Sequence, residues 1–287
     1  MVCRFRLALP IVLAPVVAVG AELEAETVAA YERYIAQIER VATEAQGRSW
    51  IEDASPPTLA RLRAGEIIVS PGSGDGIFDV PDGLIHHWRG AAFIPDVALD
   101  AVLAVTQDYS RYAVVYDWVI GSGQLAHERV ADGERDRYSV FLRIKRSAGV
   151  VTSVVDLWTF VEYRYQGAGR VTVTSDADCI RQVENAGEPD EQRLPPGAGS
   201  GYLWRANTYS TYLQRDGGVY VEFETVGLSR DFPPLLGWLI EPIARRLGRG
   251  SAGDSLRQLR QAVLVLDQPR AAVDPAPAPI PTFWCTG

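Results

Sequence analysis

The chain has 287 residues, 47% of them hydrophobic, with 28 basic and 36 acidic side chains and a formal net charge of -8. A chain of this length buries about 70 to 75% of its unfolded surface, so we expect one domain with a substantial core. The acidic balance disfavours a nucleic-acid partner, which would require a basic surface.

The first 21 residues have the pattern of a secretory signal peptide. Two arginines precede the apolar run 7–19, and small residues follow it. This run is shorter than the roughly 20 residues that span a bilayer, although an uncleaved membrane anchor is the alternative. We therefore expect an exported protein, periplasmic or secreted, whose chain begins at Ala21 or Glu22.

Two cysteines, Cys179 and Cys285, lie beyond the predicted signal peptide. In an oxidising compartment they could pair and tie the C-terminal tail to the domain; two unpaired cysteines are the alternative. Neither belongs to a CxxC pair or has the spacing of metal ligands. The sequence therefore predicts neither a metal site nor a cofactor.

The N-terminal part mixes helices and strands. Apolar residues recur at helical spacing over 28–41, which predicts an amphipathic helix. Strand-like runs follow near 66–70 and 83–94, separated by turn residues. A second, short helix is predicted from about 96 to 107.

The central part, from Trp118 to Leu228, reads as antiparallel sheet because short turns join segments rich in valine, threonine and aromatic residues. A segment rich in glycine, proline and charge, 185–201, interrupts it and is expected to be exposed. The predicted strands are 119–130, 136–146, 152–165, 170–183, 202–214 and 219–228.

Two helices are predicted to close the fold. The first, 233–247, is apolar on more than one side and must therefore lie against a large hydrophobic surface. The second, 254–264, is amphipathic. Pro242 and the sequence "GRGSAG" are expected to break the segment between them, and a tail rich in proline and alanine, 267–287, follows.

Two stretches resemble the START-related helix-grip superfamily. They are "IPDVALDAVLAVTQDYSRYAVVYDWVIGSGQLAHE" and "FPPLLGWLIEPIARRLGRGSAGDSLRQLRQAV". The resemblance implies an α+β helix-grip fold, in which a curved antiparallel sheet wraps around a C-terminal helical segment. With the added N-terminal helix, the expected units are 1–21, 22–50, 51–266 and 267–287, namely signal peptide, helix, domain and tail.

The resemblance also implies an apolar pocket between the sheet and the C-terminal helix. Its expected guest is a lipid or another hydrophobic small molecule, and a transient membrane contact is compatible with that role. A polyketide cyclase or dehydratase-like enzyme and a structural envelope protein without ligand are the alternatives. The candidate ligand-binding residues are Trp118, Tyr138, Trp204, Arg205, Tyr209, Phe223 and Trp238.

Catalytic and metal motifs are not apparent in the sequence. There is no GxSxG nucleophile elbow and no GxxxxGK[ST] phosphate loop. His86 and His87 are neighbours in a strand, so their side chains point to opposite faces and cannot share a metal ion; ordinary roles are expected for both and for His127. Glu222 and Glu224 are expected to face solvent. A binding protein is therefore favoured over an enzyme.

Overall fold

A computed structural model describes residues 22–44, 48–130, 133–148, 151–167, 169–231 and 237–266, and for 237–247 it describes only the backbone. Within these residues one continuous sheet carries all the strands, and helices cover both of its faces.

The sheet has ten antiparallel strands, and its main path runs β1-β3-β10-β9-β7-β6-β5-β4. Two short strands lie off this main path: β2 pairs with β3, and β8 pairs with β7. The strands are β1 Ile68–Pro71, β2 Ile77–Val80, β3 Gly83–Pro95, β4 Val119–Arg129, β5 Arg135–Ala148, β6 Val151–Tyr165, β7 Arg170–Glu184, β8 Gln192–Arg193, β9 Arg205–Arg215 and β10 Gly218–Arg230.

Five α-helices and one short 3-10 helix, Tyr109–Arg111, accompany the sheet in the part of the chain that the structure describes. The helices are α1 Ala25–Glu44, α2 Pro56–Arg63, α3 Leu99–Thr106, α4 Tyr112–Val115 and α5 Gly237–Leu266. The predicted N-terminal helix, short helix and six long strands are confirmed; α2 was not predicted, because its prolines read as turn residues.

The C-terminal helix α5 lies across β3, β1 and β10, and we call the face that it contacts the inner face. Gly90 of β3 lies beneath Leu256 of α5, and Trp88 lies against the backbone at Gly248. Because alternate strand residues point to one face, the even-numbered residues of β3 point inward. A curved sheet around a C-terminal helix is the helix-grip fold, so that prediction is confirmed.

The expected break in the C-terminal segment is wrong, because α5 is one helix of 30 residues. A Cβ atom at Gly248 would lie 2.4 Å from Trp88 Nε1, and one at Gly253 would lie 3.5 Å from Val69. These two glycines lie where the helix comes close to the sheet. Pro242 is near the start of α5, where its missing N–H removes only one hydrogen bond.

The N-terminal helix α1 covers the opposite, outer face of the central strands. Tyr31 is 3% exposed, and its hydroxyl lies 2.9 Å from both Asn207 Oδ1 and the Val226 carbonyl oxygen. Trp204, Ile85 and other apolar residues complete this layer. The central strands are therefore covered on both faces.

The prediction that Glu222 and Glu224 face solvent is wrong, because the N-terminal segment covers this part of the outer face. Glu222 is 7% exposed and accepts a hydrogen bond from the Ile51 N–H at 3.2 Å. Glu224 lies 2.5 Å from His87 Nε2, while His87 Nδ1 lies 2.6 Å from the Tyr34 hydroxyl. Burying these groups is tolerated because each finds a hydrogen-bond partner.

The segment 185–201 folds back over the outer face instead of extending away from it. Its strand β8 pairs with β7, and Arg193 contacts the fully buried carboxylate of Asp156. Arg143 binds the same carboxylate through two hydrogen bonds of 2.6 and 2.9 Å. This ion-pair network anchors the segment to the sheet.

Candidate functional site

Three hydroxyl side chains lie side by side on the inner face. Ser175, Thr208 and Thr225 are in direct register across β7, β9 and β10, and we call them the hydroxyl row. Trp88 of β3 continues the row, since it pairs with Thr225. The hydroxyl row therefore crosses the middle of the sheet on the face that α5 covers.

The next inner row consists of very small residues. Ala177, Ala206 and Gly227 are in register across the same three strands, and we call them the small row. His86 of β3 pairs with Gly227 and ends this row. Two residues along a strand correspond to about 6.6 Å, so both rows belong to one local surface.

Space remains above these two rows. All three residues of the hydroxyl row, together with Ala206 and Gly227, are half-buried, although they occupy central strands beneath a gripping helix. Close-packed interiors leave few such side chains accessible. Among the described residues, Leu203 packs against the small row, yet these five residues keep accessible surface, and we take this surface beneath α5 as the candidate pocket.

His86 is the titratable group on this part of the inner face. Its Nε2 lies 2.8 Å from Ser229 Oγ, and the ring is half-buried. Burial lowers the pKa of His86 to about 4, because desolvation disfavours the charged imidazolium. His86 is therefore neutral at physiological pH.

An aromatic and cationic rim lies toward β5. The Arg146 guanidinium is 4.8 Å from the centre of the Trp118 ring, a cation-π distance. Burial lowers the pKa of Arg146. Tyr202 is 38% exposed, and burial of part of its side chain raises its pKa.

The other end of the inner face is filled. Helix α3 and the turn after it pack there, and Tyr109 and Tyr163 are buried with their hydroxyls 3.1 Å apart. Tyr138, one of the predicted ligand-binding residues, is 7% exposed and stacks on His127 at 4.4 Å. This end is a solid core, which limits the candidate pocket to the end with the two rows.

The predicted ligand-binding residues do not form one group. Trp118 and Phe223 lie on the inner face, packed against its core, and both are half-buried. Trp204 lies in the outer layer, where Arg205 donates to its carbonyl oxygen at 2.9 Å. Trp238 is among the residues for which only the backbone is described.

Tyr209 also lies on the outer face, and its hydroxyl donates to Glu39 of α1 at 3.2 Å. Cys179 lies on that face as well, beside Phe141 and Trp158, and it is disulfide-bonded. Cys285 lies outside the described residues. The hydroxyl row, the small row and His86 were not predicted to form a site. Serine, threonine and alanine are common in strands, and a single sequence does not reveal which residues of neighbouring strands pair.

The two adjacent histidines point to opposite faces, as predicted: His86 inward and His87 outward. Within the described residues, no group of three histidine, cysteine, aspartate or glutamate side chains is placed to hold a metal ion.

A groove of about 530 Å³ also lies between β1 and the middle of α5; it is lined by Ile67, Val69, Trp88, Arg249, Gly250, Gly253, Asp254 and Arg257.

Neither a protein-family model nor a curated protein sequence matches the chain. Several solved structures do. A STAR-related lipid transfer protein from Xanthomonas axonopodis is 20% identical, with a TM-score of 0.42, over 66% of this chain and 99% of its own. Human STARD10 is 13% identical, with a TM-score of 0.40, over 67% and 75%.

The Zhui aromatase/cyclase from a Streptomyces species is 10% identical, with a TM-score of 0.38, over 64% of this chain and 96% of its own. These likenesses concern the START-related fold. Ligand and activity have to follow from the pocket residues themselves. In the described chain, no helix combines the length and hydropathy needed to cross a membrane.

Proposed function

We propose that the chain binds a hydrophobic small molecule or lipid between the inner face and α5. One observation carries this proposal: the hydroxyl row, Ala206 and Gly227 stay half-buried in the middle of a sheet whose other inner surface is tightly packed. A central concavity of this kind is where small-molecule sites form.

The lining has the chemistry of a pocket for an apolar guest with a few polar groups. Phe223, Leu142 and Leu203 provide half-buried apolar surface near the two rows. The hydroxyls of Thr208 and Thr225 make no hydrogen bond to the described residues, so they are free to orient a guest. Apolar walls with a few placed polar groups are typical of ligand sites.

Binding is better supported than catalysis. A cyclase or dehydratase-like enzyme needs an acid or base near the reacting atoms with a pKa close to the working pH. Among the described inner-face residues of β3, β10 and β9, however, none is charged, and His86 has a pKa of about 4. A structural protein with a filled interior fits less well, because five of the six residues in the two rows are half-buried.

We further propose that the chain is exported and carries its guest outside the cytoplasm, with transient membrane contact during loading. The pattern of residues 1–21, which lie outside the described residues, supports this. Mass spectrometry of the protein from its native host should find Ala21 or Glu22 at the N-terminus. Recovery of a chain that retains Met1 would contradict export with cleavage.

Probe uptake tests the pocket. The unmutated protein should bind the neutral dye N-phenyl-1-naphthylamine with a rise in its fluorescence, and native mass spectrometry should detect a co-purified apolar guest. Thr208→Phe places a ring in the concavity and should abolish most of the uptake. Thr211→Phe is the matched control, because Thr211 is also half-buried on β9 but points to the outer face.

Two results would contradict the proposal. If the unmutated protein neither binds the dye nor retains a guest, the inner face is filled in solution. If Thr208→Phe and Thr211→Phe lower uptake equally while both variants stay folded by circular dichroism, the dye binds elsewhere.

A further inference from the structure

The hydrogen bonds around His86 determine which of its nitrogens carries the proton. Ser229 has one hydroxyl proton, and it donates that proton to the Arg230 carbonyl oxygen at 3.1 Å. The contact with His86 at 2.8 Å is a hydrogen bond at the same time only if Ser229 Oγ accepts there, and on this basis we assign the imidazole proton to Nε2.

The other nitrogen, Nδ1, is then an unprotonated acceptor. Because the pKa of His86 is about 4, the ring holds a single proton at neutral pH, and that proton is on Nε2. Nδ1 makes no hydrogen bond to any described residue. The ring is half-buried beside the small row, and Leu203 Cδ1 lies 3.3 Å from the position that a Cβ atom at Gly227 would occupy.

We propose that Nδ1 of His86 accepts a hydrogen bond from the bound molecule, so that the guest is an apolar alcohol or another neutral molecule with one O–H or N–H donor at this end. This assignment rests on the proposed function, since it names the class of guest for the same pocket. A buried polar group needs a partner, and a donor on the guest provides it.

The surroundings of His86 oppose an anionic group at the same place. The inner residues of β3 nearest to it are Leu84 and Trp88, and Gly227 and Ser229 lie across from it on β10. In the described part of these two strands the inner face has no cation, so a carboxylate placed beside His86 would be desolvated without a cation next to it. A neutral imidazole that accepts hydrogen bonds selects a donor instead.

Competition between matched ligands tests this assignment. N-phenyl-1-naphthylamine would be bound first and then displaced by 1-dodecanol, by dodecyl methyl ether or by dodecanoic acid at pH 7.5. The ether has a similar chain but no donor. Dodecanol should displace the dye at about a three- to tenfold lower concentration than the ether, the factor typical of one hydrogen bond, and the acid should be weaker than the alcohol.

Substitutions at His86 test whether this residue causes the preference for the alcohol. His86→Phe should remove the preference for the alcohol, whereas His86→Gln, whose amide oxygen can accept, should retain most of it. Thr211→Val is the matched control, because it removes a half-buried hydroxyl of β9 that points to the outer face, and it should leave the preference within about twofold, a smaller change than one full hydrogen bond. The alcohol-to-ether ratio of the unmutated protein decides the question even if a variant fails to fold.

The outcomes separate this assignment from the proposed function. Equal displacement by alcohol and ether, or stronger displacement by the acid, would overturn the assignment and leave a ligand-binding pocket in place. A preference that survives in His86→Phe would also overturn it. Failure of the unmutated protein to bind the dye would overturn the proposed function, and the assignment with it.

Discussion

The segments that pack over the sheet change the pKa of individual side chains beneath them. Glu222 is the best example, because it lies between the outer face of the sheet and the backbone of Ile51. Burial raises its pKa to about 7, since desolvation disfavours the carboxylate. Near neutral pH this side chain therefore changes charge inside the folded protein.

Glu222→Gln should flatten the pH dependence of stability. The folded pKa is above the ordinary value of 4.5, so the contribution of Glu222 is fully present below pH 4.5 and is lost as the pH rises through 7. Above pH 7 the penalty approaches about 3 kcal/mol. Urea unfolding at pH 5, 6, 7 and 8 should show the unmutated protein losing stability relative to the variant. A constant difference across this range would contradict the shift.

At the scale of elements, α5 contacts the sheet through backbone as well as side chains. The absence of a Cβ at Gly248 lets Trp88 lie against the helix, whereas Gly250 has open space around its Cβ position. Glycine is unfavourable inside a helix unless close packing requires it. The two glycines therefore have different roles in one continuous helix.

Alanine substitutions separate these roles. Gly248→Ala should destabilise the protein by about 1 to 3 kcal/mol, because the added methyl overlaps Trp88. Gly250→Ala should stabilise it by about 0.5 to 1 kcal/mol through helix propensity. Urea denaturation measures both. Destabilisation by Gly250→Ala to the same degree would indicate that the glycines break the helix after all.

Segment 185–201 is held by charge. Asp156→Asn should cost about 3 kcal/mol, because it leaves the arginines of β5 and β8 without their buried carboxylate. Glu66→Gln is the control; it breaks an exposed pair with Arg61, which water screens, and it should cost much less than Asp156→Asn. Thermal unfolding compares the two, and similar losses would show that the buried network is no stronger than a surface pair.

The strands were predictable from sequence because alternation and short turns are local signals. The pocket was not, since it depends on which residues of separate strands lie side by side. Ser175, Thr208 and Thr225 form a row only after the register of β7, β9 and β10 is known. Trp204 and Tyr209 illustrate the reverse error: large aromatic residues suggested a ligand site, but they pack beneath α1.

At the scale of the whole molecule, the disulfide bond of Cys179 links the outer face to a distant part of the chain. We predict that Cys285 is the partner. The closed loop would contain about 100 residues, and reduction should lower the free energy of unfolding by up to about 5 kcal/mol. Peptide mapping without reduction should recover the two cysteines in one peptide pair. Two free thiols in the unfolded, unreduced chain would contradict the pairing.

The two covered faces of the sheet divide the tasks of the molecule between separate sets of residues. Tyr31, Trp204 and their neighbours pack against the outer face of the central strands. Because this packing stabilises the strands, the residues of the two inner rows do not have to be large. Related chains could exchange these inner residues for larger or more polar ones and acquire new guests while the fold persists. In such a lineage, ligand preference would diverge faster than architecture.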